Sequence, residues 1–185
     1  MTSEYDLPLA VTIDGEQFKI RERCDYRIVL RCISALNDPE LNDDQRVQCA
    51  LIIFYEDYDQ IRDLQTAVNE MFRIISCDDT GNTGHDRRPL MDWEKDFKQI
   101  APPISRILGY DVRMPGVYTH WWTFIGGYME IGECTFATIV SIRAKKQKGK
   151  NLEKWEEEFY RENYDKVSLP QKLTEEEEEF LSLFE

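Results

Sequence analysis

No stretch constrains the fold of this chain more than Tyr118-Thr-His-Trp-Trp-Thr-Phe-Ile-Gly-Gly-Tyr-Met129. Wound at helical pitch, it puts Trp121, Phe124, Ile125, Tyr128 and Met129 on one stripe. Tyr118, Trp122, Ile125 and Met129 fall on a second stripe about 100° away. A helix apolar on two faces is either enclosed by other helices or keeps one face for a partner. The adjacent indoles alone carry roughly 400 Å² of surface that is unfavourable in water. Gly126 and Gly127 each cost about 1 kcal/mol against alanine inside a helix, so another element is expected to pack close to the backbone there. The stretch is therefore read as the central helix of the fold.

Composition narrows the class. With 185 residues, 42% of them hydrophobic, the chain suits one well-packed domain with little left for a second. A formal net charge of −13 opposes nucleic-acid binding by the molecule as a whole. The same charge favours a soluble protein, or one that meets a basic or apolar partner. No apolar run approaches the roughly 18 residues of a membrane span. Met1-Thr-Ser-Glu-Tyr-Asp6 lacks the basic and apolar regions of a signal peptide, so a cytoplasmic protein is expected. Cys24, Cys32, Cys49, Cys77 and Cys134 form no close pair and read as reduced, mostly buried apolar residues. With His85 and His120 the only imidazoles, neither a metal site nor a cofactor is expected.

Taken in order, the chain predicts a mainly α-helical α+β fold that opens on a β-hairpin. Leu9–Ile13 and Glu16–Ile20 alternate around Asp14-Gly15, a strong hairpin signal, with Val11, Ile13, Phe18 and Ile20 on the buried side. Asp25 suits the N-cap of a helix to about Leu36, with Tyr26, Val29, Leu30 and Ile33 inward, and Asn37-Asp38-Pro39 ends it. A second helix starts between Asn42 and Asp44 and places Val47, Ala50, Leu51, Phe54 and Tyr55 in phase. The third has the clearest period, with Ile61, Leu64, Val68, Met71, Phe72 and Ile75 as its expected core face.

Residues 78–90 are polar and read as a mobile loop that divides the chain. Beyond it, Trp93, Phe97 and Ile100 mark a short helix that Pro102-Pro103 interrupts, unless one proline opens the helix ending near Leu108 with Gly109 past its end. After the central helix come one carrying Phe136, Ile139, Val140 and Arg143 and another between Asn151 and Asn163 with Leu152, Trp155 and Phe159. The whole is expected as a single domain: hairpin and helices to 77, the loop 78–90, a helical half 91–170, and an acidic then apolar tail 171–185 that Thr174 could cap.

No constellation for chemistry emerges. The 36 acidic residues make chance carboxylate pairs unavoidable, and none is set in an evidently apolar pocket. Gly-rich phosphate loops and nucleophile elbows are missing, and Asp78-Asp79-Thr80-Gly81 lacks the later ligands of a calcium loop. His85 reads as a solvated loop residue. His120 beside Trp121-Trp122 has no serine, cysteine or acid nominated to work with it, and reads as a core residue bonded to nearby backbone or carboxylate. Arg143, Lys145, Lys146, Lys148 and Lys150 form the one basic cluster, expected as a helix C-terminus compensated by cations that runs into a solvated turn at Lys148-Gly149-Lys150, with a nucleic-acid patch or contact with an acidic surface on another copy as alternatives.

His120-Trp121-Trp122-Thr123-Phe124, preceded by Leu108-Gly109-Tyr110-Asp111-Val112 and followed by Phe136-Ala-Thr-Ile139-Val-Ser-Ile-Arg143, resembles the bacteriophage gene-product-fifteen family. The resemblance runs through nearly the whole chain, and its specific part is His-Trp-Trp-x-Phe with the Ile-x-x-x-Arg sequel. Pro102-Pro103 departs from the unbroken helix that the family has there. The resemblance implies a non-enzymatic tail-assembly chaperone of long-tailed phages and prophages. It would act in the host cytoplasm, be absent from the mature virion and form a homo-oligomer. Its expected partner is the tape-measure protein, which it coats until tail-tube subunits displace it. No nucleic-acid or membrane partner is implied. Trp121, Trp122, Tyr128, Phe180, Leu181 and Phe184 are the residues expected to touch client or copy. The rival readings are an acidic regulatory protein that mimics DNA, and an enzyme using His120 with buried acids.

Overall fold

The computed structural model describes residues 6–79 and 89–169. His85 and the tail residues Thr174, Phe180, Leu181 and Phe184 lie outside them. The described residues are mainly α-helical with one antiparallel two-stranded sheet among them, an α+β arrangement. Its contacts cluster into two compact units. The first takes the described residues of Met1–Arg87 together with Lys98–Cys134, and the second those of Arg88–Phe97 and Thr135–Glu185.

In the first unit, β1 (Ala10–Ile13) and β2 (Glu16–Lys19) pair with Val11 opposite Phe18. Asp14 and Gly15 both have positive φ, 51° and 82°, the geometry a two-residue hairpin turn requires. Val11, Ile13, Phe18 and Ile20 are all buried, as the alternation requires. Helix α1 (Tyr26–Leu36) starts on the Asp25 carboxylate, which accepts from the Arg27 N–H at 3.0 Å. It buries Tyr26, Ile28, Val29 and Cys32, whereas the expected Leu30 and Ile33 are half-buried. Helix α2 (Asp43–Phe54) begins with a reciprocal Asn42–Gln45 capping box.

The phase of helix α3 (Leu64–Ile75) differs from expectation. Ala67, Met71 and Ile74 are buried, while Leu64 and Phe72 are 46% and 45% exposed. The small Ala67 lets Tyr55 approach, and the Tyr55 hydroxyl donates to the Ala67 carbonyl at 2.8 Å. A tertiary contact has rotated the buried face away from the larger residues.

Helix α4 (Trp93–Leu108) also corrects the sequence reading, because it runs unbroken through Pro102 and Pro103. Each internal proline costs roughly 3 kcal/mol. Burial of Ile100, Ala101, Pro103 and Ile104 offsets this, and Pro102 faces solvent. Gly109, at φ 79°, ends the helix. The central helix α5 spans Trp121–Met129 and not Tyr118–Met129. Thr119 and His120 instead run beside the start of α1: Tyr26 N–H donates to Thr119 O at 2.9 Å, and Trp121 N–H to Cys24 O at 2.8 Å. Gly127 meets the expected close neighbour, since a Cβ there would lie 3.1 Å from Ile104 Cγ2, but Gly126 faces open space.

In the second unit, helices α6 (Thr135–Gln147), α7 (Lys154–Glu162) and α8 (Tyr164–Val167) enclose Ile139, Ile142 and Val167, with Leu152, Phe159 and Tyr160 packed alongside. Trp155, expected inward, is 54% exposed, and its indole donates to Glu153 at 2.8 Å. Val140 is half-buried. All five cysteines are free, with Cys24 and Cys32 buried and the others half-buried. Burial pushes the Cys24 and Cys32 thiols up to about 12, so neither ionises near neutrality.

Candidate partner-binding surface

A helix ends with carbonyls that have no donor in the helix itself. Here those carbonyls are met by side chains from distant parts of the chain. Arg21 donates to Ile52 O, Ile53 O and Tyr55 O at 3.0, 3.0 and 2.6 Å, closing α2. The two adjacent tryptophans do the same for α3: Trp121 Nε1 donates to Ile75 O and Trp122 Nε1 to Ile74 O, both at 2.9 Å. The paired indoles are thus a clamp on the end of α3. Trp121 is 2% exposed and its ring stacks on Phe124, which stacks on Tyr26 with centroids 4.3 Å apart.

His120 positions this pair. Its Nδ1 accepts from the Trp122 N–H at 3.1 Å and so caps α5, which leaves Nε2 to carry the proton and donate to Pro8 O at 3.0 Å. Both ring nitrogens are engaged, and burial holds the imidazole below its usual pKa. Beside it, Asp25 Oδ2 accepts from the Thr119 N–H, and Arg27 bonds both Asp25 oxygens and the carbonyls of Val112, Met114 and Val117.

The second unit repeats the device around Arg143, the buried member of the basic cluster. All five of its N–H groups are bonded. Two go to Asp96, at 2.6 and 2.9 Å, and the others to the carbonyls of Leu90, Lys166 and Val167. Lys95 Nζ donates to Ser168 O. Lys145 pairs with the buried Glu156 at 2.6 Å and holds its carboxyl below the usual range. Lys146, though exposed, lies 3.7 Å over the Tyr160 ring, and Lys148 and Lys150 are exposed as well.

The residues that carry the sequence motif therefore hold the fold. Among the expected partner residues, Trp121 is enclosed, while Trp122 and Tyr128 are half-buried and keep part of their rings at the surface. Met129 is the most exposed apolar residue of α5, at 72%.

A larger apolar surface lies on α3. At about 100° per residue, Ile74, Ala67, Met71, Leu64, Ile75, Val68 and Phe72 follow one another around about 160° of the helix. Only Ile74, Ala67 and Met71 are buried; Val68 and Ile75 are half-buried, and Leu64 and Phe72 exposed. The flank they form stands in a strongly acidic part of the chain: residues 38–79 hold eleven acids and three bases, a net charge of −8. The sequence did carry this signal, as an apolar arc wider than one packing face needs.

A family model described as "Bacteriophage Gp15 protein" matches residues 4–169. No curated protein and no solved structure matches the chain.

Proposed function

We propose that this chain, which belongs to the bacteriophage Gp15 protein family, is a tail-assembly chaperone that binds the tape-measure protein and keeps it soluble until tail-tube subunits take its place. The observation that carries the reading is the half-exposed apolar flank of α3, Leu64, Val68, Phe72 and Ile75, set among acids. An elongated helical client exposes apolar stripes that would otherwise pair with one another. A chaperone needs apolar surface to cover them and like charge to keep coated clients apart. Exposed apolar residues give the first and the net charge of −13 the second.

Displacement by tube subunits requires each contact to be modest, so binding strength comes from many copies along one client. The chaperone would act in the host cytoplasm, associate with its own copies on the client, and leave before the virion is complete. Trp122 and Tyr128 would add to the contact from the exposed parts of their rings. The acidity of residues 38–79 is what a DNA mimic would show as well. The apolar flank among those acids argues against mimicry, because a DNA-binding partner offers no apolar counter-surface.

Co-expression with a fragment of the tape-measure protein tests the proposal. The soluble fraction of the fragment rises when the chaperone is present, and an unchanged fraction would refute it.

A further inference from the structure

We infer that the α3 flank is the seat of a basic amphipathic helix, one whose apolar residues recur at i, i+4, i+7 and i+11 between lysines or arginines. This rests on the chaperone reading and names the kind of client segment that each copy holds.

Two features select that occupant. The first is shape. Leu64, Val68, Phe72 and Ile75 form a band about 80° wide and about 16 Å long, three turns of helix, which matches an apolar stripe of the same length on an opposing helix. A strip this size covers on the order of a few hundred Å² per partner. Stable pairing of two proteins takes about 800 Å² a side, so a second copy seated here alone would not hold. A client that presents the same stripe repeatedly would be held by many copies.

The second is charge. Asp63, Glu70, Asp78 and Asp79 lie on α3 or at its ends, within the segment of net charge −8. Two of the three bases in that segment are already occupied: Arg73 is bonded to Glu70 and Asp78 at 2.8 Å each, and Arg46 to Asp43 at 3.0 Å. An acidic helix would be repelled, and a neutral one would gain nothing from the surroundings. Lysines beside the stripe would be drawn by the net negative charge of the whole segment, since the carboxylates of α3 itself lie off the stripe.

The experiment uses the full chain and two labelled synthetic peptides with leucine at i, i+4, i+7 and i+11, one carrying lysine at its polar positions and one glutamate. Fluorescence anisotropy should show the lysine peptide binding, more weakly as salt rises, and the glutamate peptide at least about tenfold weaker. The double variant Leu64→Gln, Phe72→Gln should lose about tenfold in affinity for the lysine peptide, while Met114→Gln, at a residue 56% exposed elsewhere, should bind as the unaltered chain does. Circular dichroism checks that the double variant keeps its helices.

Equal binding of the two peptides, or equal binding by the double variant, would overturn the inference. A tape-measure fragment solubilised equally by chain and double variant would also overturn it while leaving the chaperone reading intact. A lysine peptide that needs Leu64 and Phe72, with no fragment solubilised, would support the seat and refute the chaperone.

Discussion

Replacing Arg143 with methionine should be the most damaging single change in the second unit. The guanidinium is 5% exposed and the Asp96 carboxylate 1%. Methionine keeps the length of the side chain but removes all five N–H donors. Asp96 would retain only the Asp92 N–H, at 3.0 Å, and the carbonyls of Leu90, Lys166 and Val167 would lose the Arg143 donors. Leaving one partner of a buried pair uncompensated costs about 3–5 kcal/mol, a large share of the roughly 5–15 kcal/mol that holds a domain. Replacing both partners, Arg143→Met with Asp96→Leu, should recover most of that loss, because neither charge is then buried alone. About 1 kcal/mol should stay missing, since Asp96 also bonds the Asp92 N–H at the start of α4. Amide hydrogen exchange followed residue by residue reads this directly in α6, α7 and α8. If Arg143→Met lowers protection there by less than about 1 kcal/mol, the pair is screened by water and the reasoning fails.

The remaining outcomes concern the first unit. Trp121→Phe should destabilise by about 2–3 kcal/mol through the lost bond to Ile75 O and the space left behind, and Trp122→Phe by about 1 kcal/mol; urea unfolding that ranked them equally would contradict the clamp. Burial lowers the His120 pKa in the folded chain, so its contribution to stability is complete above about pH 6.5 and is lost as pH falls from there towards the folded value. The unfolding midpoint should drop over that window in the unaltered chain and stay flatter in His120→Asn, which keeps an N-cap acceptor. Gly126→Ala should stabilise α5 by up to about 1 kcal/mol, whereas Gly127→Ala, meeting Ile104 Cγ2 at 3.1 Å, should fall below it in thermal denaturation by at least about 0.5 kcal/mol.

What was legible in the sequence and what was not divides along sequence distance. The hairpin turn at Asp14-Gly15, the Asp25 cap and the Asn42 start are local signals, written in residues two to four apart, and each is found where the spacing puts it. The clamps are not local. Trp121 and Trp122 reach α3 across 46 and 48 positions, and Arg143 reaches Asp96 across 47. Nothing in a helical period distinguishes an arginine that closes a distant helix end from one that faces water, so Arg143 read as one cation of a cluster at a helix C-terminus. Periodicity likewise identified α3 as amphipathic but could not say which part of a wide apolar arc faces inward. That choice was made by Tyr55 and Ala67. Pro102 and Pro103 show the same override, local breakers held in a helix by the burial of their neighbours.

If many copies of this chain coat one tape-measure protein, the number bound must follow the length of the client. Complexes purified with tape-measure fragments of increasing length should be weighed by native mass spectrometry or light scattering. The number of copies bound should rise in proportion to fragment length. One copy per fragment at every length, or no complex at all, would contradict it.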